Sequence, residues 1–275
     1  LKPGVEPLLA YLRKQVLREN YHMDAQIMLG LMEKFGPVDW RHPAGHSLYW
    51  ASRGVAVAAG LRDDEHIDVL NTDRQVIHSL QQLAWFGRLG FDPVTRRIDL
   101  LPDPRFFPAY NTALKDAQER IAANDKYFDT VHQNFESGHE NFLQRAVFFS
   151  YLYGSEEQAR NFFLEAKELY EHKRHNVNSS KYNMTLEDFV FSEMQLDMGN
   201  RGITRQFIDA MIIRGLTQGL ANNRLDVFQR FLTLARRAHR EKQADSIVNP
   251  TATRDRMKLL PFDQTLPESY IGSIR

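Results

Sequence analysis

The sequence predicts an all-α protein of antiparallel helix pairs stacked as an α-solenoid, with an extended C-terminal arm. Three observations carry this. Apolar residues recur at spacings of three and four along most of the chain. Glycine, proline and short polar residues punctuate that pattern at helix-length intervals. Small residues fall at regular offsets on one helix, where two helices need to approach closely.

The elements follow in order. Val5, Leu8, Leu9, Leu12 and Val16 mark a first helix, and Ile27, Met28, Leu31, Met32 and Phe35 a second. Gly36-Pro37 stops the second, because glycine suits the C-terminal cap and proline cannot continue the ladder. A helix over 44–59 ends at Gly60, and another spans 63–90, with a break near Asn71-Thr72-Asp73, where Thr72 or Asp73 would cap it. Residues 91–108 hold Pro93, Pro102, Pro104 and Pro108, with Arg97–Leu101 as a short extended piece. This segment reads either as a connector between an N-terminal half, 1–90, and a C-terminal half, 109–242, or as a long loop inside one domain 1–242.

Helices resume over 109–123, 126–135, 139–153 and 156–174, with Ser137-Gly138 read as a cap between two of them. Thr185-Leu186-Glu187-Asp188 is a capping box opening a helix to Gly199, followed by helices over 204–221 and 225–242. The tail, 243–275, has no helical period and contains Pro250, Pro261 and Pro267. Leu259, Leu260, Phe262, Leu266, Tyr270, Ile271 and Ile274 nevertheless require burial, either on the tail's own domain or on a partner.

Between His139 and Tyr170 the chain reads helix, tight turn, helix. Gly154 sits at the turn, and Glu157, Ala159, Phe163, Ala166 and Leu169 follow at fixed offsets. This resembles one unit of the tetratricopeptide repeat, about residues 139–172. The resemblance implies a concave face that binds a peptide or protein. Leu225–Arg240 offers Phe228, Leu232, Ala235 and Ala238, which is helix-pair chemistry without the motif.

Composition excludes several classes. Lys plus Arg and Asp plus Glu each number 35, so there is no basic excess of the kind that drives general nucleic-acid binding. With no cysteine, thiolate nucleophiles, disulfides and Cys-ligated metals are excluded. No apolar run approaches the roughly 18 residues of a membrane helix, which predicts no direct membrane insertion. The chain starts at Leu1 and not at Met, which suits a trimmed, processed or longer parent chain. The compartment stays open between cytosol and periplasm.

Histidine placement is the most unusual feature. An acid stands three residues before five of the ten histidines: Glu19 before His22, Asp39 before His42, Asp63 before His66, Asp129 before His132 and Glu136 before His139. Glu19/His22 with Glu136/His139 would be the core of a metal site if further carboxylates converged on it. Helix-end electrostatics offer the simpler reading. His172 and His175 close a helix, where cations are favoured.

The segment Phe35–Trp50 is dense in aromatic, imidazole and turn residues. Trp40, His42, His46, Tyr49 and Trp50 either line a ligand pocket or plug one helix pair against the next. Arg236, Arg237 and Arg240 form a basic cluster suited to phosphate, to an acidic partner or to a helix C-terminus. No nucleophile or phosphate-loop motif is present.

The expected function is a non-catalytic protein-interaction or scaffold module with a protein or peptide partner, no cofactor and possible self-association. The alternative is an α-helical metal- or ligand-binding enzyme using the histidines and carboxylates. A structural domain of a longer chain is a third possibility.

Overall fold

Local capping chemistry sets the helix boundaries. In the computed structural model, which describes residues 4–58, 69–92, 97–122, 128–172, 179–196, 201–248 and 259–274, Asp24 caps a helix by accepting from the Gln26 N–H. That helix, α2 (Ala25–Phe35), follows α1 (Val5–Asn20) and stops at Gly36. Gly36 has φ 121°, a conformation that glycine adopts without steric cost, and its N–H bonds the Met32 carbonyl. Helices α3 (Pro43–Ala58) and α4 (Val69–Phe86) then pack on one another.

The proline-rich segment is neither a pure loop nor a domain boundary. Arg88–Asp92 (β1) pairs antiparallel with Arg97–Leu101 (β2), so the extended piece at 97–101 finds a partner in residues expected to end a helix. Beyond it, Asp103 is buried, donates its N–H to the Ala84 carbonyl and caps the 3-10 turn Pro104–Phe106. Phe106 and Phe107 are fully buried, and α5 (Phe107–Ala122) packs on α4. These anchors hold the segment within the first of two compact units, Leu1–His139 and Glu140–Arg275.

The division falls inside α6 (Phe128–Leu152), which runs through Ser137-Gly138 without a break. The expected cap there is therefore helix interior. In the second unit α6 is followed by α7 (Glu156–Tyr170), α8 (Leu186–Leu196), α9 (Arg201–Arg214) and α10 (Leu225–Val248). Ala159 and Ala166 are completely buried, and the Phe163 ring lies 5.0 Å from that of Phe189. Leu169, by contrast, is exposed. At α8 the Thr185 hydroxyl accepts from the Asp188 N–H at 3.2 Å and donates to its carboxylate at 2.8 Å, a working version of the expected cap.

Two further features depart from the sequence reading. After Arg214 the helix widens into a π-turn, Gly215–Gly219, before a 3-10 turn, Leu220–Asn222. A Cβ on Gly219 would stand 2.6 Å from the Phe228 amide nitrogen, so only glycine lets α10 approach here. The tail is not an extended arm either: Phe262–Ile274 forms α11 despite Pro267. The Pro261 carbonyl accepts the Gln264 and Thr265 N–H groups at the helix start. Thr265 and Ser269 are buried, and the Ser269 hydroxyl donates to Asp209 on α9 at 2.5 Å. Burial against α9 and α10 offsets the lost proline hydrogen bond. The described residues 259–274 therefore pack on their own unit, burying Leu259 while Leu260, Tyr270 and Ile271, expected to need burial, stay exposed.

Among the described residues, no helix is long and apolar enough to cross a membrane.

Candidate functional site: a groove between α2 and α3

The aromatic segment divides between core and surface. Tyr49 is fully buried, and its hydroxyl accepts from the Asp24 N–H at 2.8 Å. It joins Met23, Met28 and Leu31 in a cluster on which Leu17, Phe35 and Trp40 pack. The Trp40 indole N–H meets the Met32 sulfur at 3.3 Å, and its ring stands edge-on to Tyr49. Trp40 and Tyr49 are thus plugs. Trp50 remains 45% exposed, with the Arg53 guanidinium 5.5 Å from its ring.

The two histidines of this segment serve the backbone. His46 Nε2 donates to the Trp40 carbonyl at 2.8 Å. His42 Nδ1 accepts from the Ala44 N–H at 3.1 Å and caps α3, which fixes the neutral tautomer with its proton on Nε2. Burial pushes the His42 imidazole below the ordinary histidine range, against an opposing pull from Asp39. Asp39 in turn is held below its usual range by the Arg41 guanidinium that it binds through both oxygens.

The metal-site residues do not assemble. Glu19 ends α1 in solvent, and His22 follows with φ 54°, also exposed. His139 points into the first unit, where its Nε2 lies 2.6 Å from Asn111 Oδ1 and 1% of its surface is exposed. Among the described residues no three His, Asp or Glu side chains group as a metal would require. Asp63, His66 and His175 lie outside the described residues.

The basic cluster is likewise split by helix geometry. Arg237 sits 3.9 Å over the Phe191 ring and pairs with Asp188 at 3.3 Å and Glu241 at 3.5 Å. Arg236 lies against Phe262 of α11, and Arg240 faces solvent. One of the three is thus held by the fold's own acids and does not add to a shared patch.

The second unit buries a denser charged cluster. Arg214 is 5% exposed, donates to the Tyr151 carbonyl at 2.8 Å and to Glu156 at 3.3 Å, and lies over the Tyr151 and Phe231 rings at 4.7 and 4.3 Å. Arg230 bridges Glu156 and Glu187. Burial, with the nearby Glu187 charge, pushes the Tyr151 phenol up to about 12. Nearby, Tyr182 donates to Glu140 at 2.6 Å and accepts from Gln144 at 3.0 Å, and burial holds its proton on. These groups pair with one another, except that the buried Arg214 Nε finds no acceptor among the described residues, and they join helices far apart in sequence.

A surface groove with room for a partner lies in the first unit. A groove of about 450 Å³ runs between α2 and α3, lined by Ile27, Gly30, Leu31, Phe35, Ala56 and Val57, with Lys34 and Arg53 also on its wall. At Lys34, Phe35 and Ser52 it meets a second depression of about 590 Å³, which reaches Ile77 on α4 and Ala109, Ala113 and Asp116 on α5. Ser52 Oγ at this junction is buried with no hydrogen-bond partner among the described residues. Gly30 stands in the middle of α2, and a Cβ placed on it would meet none of the described residues within 4 Å. The aromatic segment 35–50 touches this groove only at Phe35, while His42, Pro43, Ala44 and Ser47 line a separate depression of about 560 Å³ facing Gln75, His78 and Phe86. Gly30 inside an otherwise regular helical pattern was the available signal.

Comparisons with protein-family models, with curated proteins and with solved structures returned no match to this chain.

Proposed function

We propose that the chain is a non-catalytic interaction module and that the groove between α2 and α3 receives a protein partner. Gly30 carries this reading. A glycine in a helix interior costs about 1 kcal/mol relative to alanine. No packing among the described residues requires it, because the Cβ position is open. The cost is understandable where another backbone must approach α2 closely. The groove floor is apolar, and Ile27 and Val57 stay 38% and 61% exposed beside it. The repeat-like unit around Gly154 fits the same class of function, since paired helices of that kind present binding faces.

Site-specific photo-crosslinking tests the reading. A photoreactive residue replaces Val57 in the groove or, as a control, exposed Leu220 in the second unit. The expected result is one dominant crosslinked protein from position 57 and not from position 220, in a lysate of the source organism. Crosslinks from neither position, or the same set from both, would overturn it.

A further inference from the structure

The charge around the groove specifies its occupant. Its lining holds Lys34 and Arg53, and where it opens into the neighbouring depression, Arg105 and Asp116. Arg105 is bound through two nitrogens by Asp103, at 2.8 and 2.6 Å. Lys34 and Arg53 have no ion-pair partner among the described residues; their close contacts are the rings of Phe35 and Trp50. An apolar floor is thus flanked by two unmatched cations.

The dimensions suit a helix. The wall from Ile27 to Phe35 spans about 12 Å at the rise of an α-helix, room for apolar side chains two turns apart. The bare backbone at Gly30 permits the close approach that packed helices make over small residues. The first helix of a second copy is a poor match: α1 exposes Leu8, Leu12 and Val16, but carries Arg13, Lys14 and Arg18 against Glu6 and Glu19. Its cations would face Lys34 and Arg53.

Building on the interaction reading above, we infer that the groove binds an acidic amphipathic helix of another protein, with apolar side chains on the floor and carboxylates at Lys34 and Arg53. Such pairing gives orientation and on-rate as well as selectivity.

The test uses the full chain and three synthetic helical peptides of about 14 residues, each with leucines at helical spacing. Their polar faces are glutamate, glutamine or lysine. Binding is followed by fluorescence anisotropy at low and high salt. The glutamate peptide should bind about tenfold or more tightly than the glutamine peptide at low salt, with the gap closing as salt screens it. In the double variant Lys34→Glu/Arg53→Glu, whose two positions are exposed, preference should pass to the lysine peptide. Equal binding of the glutamate and glutamine peptides would overturn the charge inference while leaving an apolar docking groove. No binding of any peptide would overturn the inference, and the crosslinking experiment would then judge the interaction reading by itself. Concentration-dependent self-association that Gly30→Leu abolishes would also overturn it, because the occupant would be a second copy.

Discussion

Replacing Arg214 separates packing from charge in the second unit. The guanidinium is buried, so Arg214→Ala removes several contributions at once. The charged hydrogen bond to the Tyr151 carbonyl is worth about 1.5–3 kcal/mol. That carbonyl keeps the Gly154 N–H at 3.2 Å, which favours the lower end. The ring contacts with Tyr151 and Phe231 add about 1 kcal/mol each, and two lost buried methylenes about 0.8 kcal/mol each. Against these stands relief of burying a cation, which amounts to several kcal/mol. Glu156 is not abandoned, because Arg230 at 3.2 Å and Arg160 at 3.6 Å remain. The net expectation is a loss of about 2–4 kcal/mol for Arg214→Ala. Arg214→Met keeps a long apolar stem between the two rings and drops the buried charge, so it should fall within about 1 kcal/mol of the parent. Urea unfolding followed by circular dichroism reads both from the midpoint at constant slope. Equal losses for the two variants, or an unchanged midpoint for Arg214→Ala, would refute the reasoning.

Three further outcomes are expected. Ala159→Leu should destabilise the second unit by about 1–3 kcal/mol through overpacking, read from the thermal midpoint; an unchanged midpoint would deny the close helix approach there. Below its unfolded pKa of about 6.5, His42 binds more protons unfolded than folded, so its contribution to stability falls as pH drops through that value toward the depressed folded pKa. His42→Asn, which retains a capping side chain, should flatten the stability profile below about pH 6.5, and an unaltered profile would contradict that account. Deleting residues 259–275 should lower stability by about 2–4 kcal/mol, since it uncovers the seats of Leu259, Thr265 and Ser269; a truncated chain as stable as the parent in a urea titration would show that α11 contributes nothing.

Most helices were legible because their apolar spacing and caps are local. Gly36 and Thr185 act where the sequence places them, whereas the Asp24 cap was not singled out. The misses share a cause in longer-range packing. Ser137-Gly138 has the composition of a helix end, yet α6 continues through it. Pro267 argues against a helix, but burial of Thr265 and Ser269, with the helix packed on α9, holds one. The strand Arg88–Asp92 needs its partner 97–101 to exist at all. Among site residues, Trp40 and Tyr49 were found by their aromatic density, and that density turned out to be core. The groove joins Gly30 and Lys34 to Ser52 and Arg53 across two helices, a juxtaposition that no local motif announces.

The most direct test of the groove as the working surface is the single substitution Gly30→Leu, assayed for both thermal stability and capture of the protein crosslinked from position 57. The side chain enters open space and removes the cost of a helix glycine. The account predicts a midpoint equal to or above that of the parent, with capture of that protein lost. A variant that is equally stable and still holds its partner would contradict it, because a filled groove could not then be the binding surface.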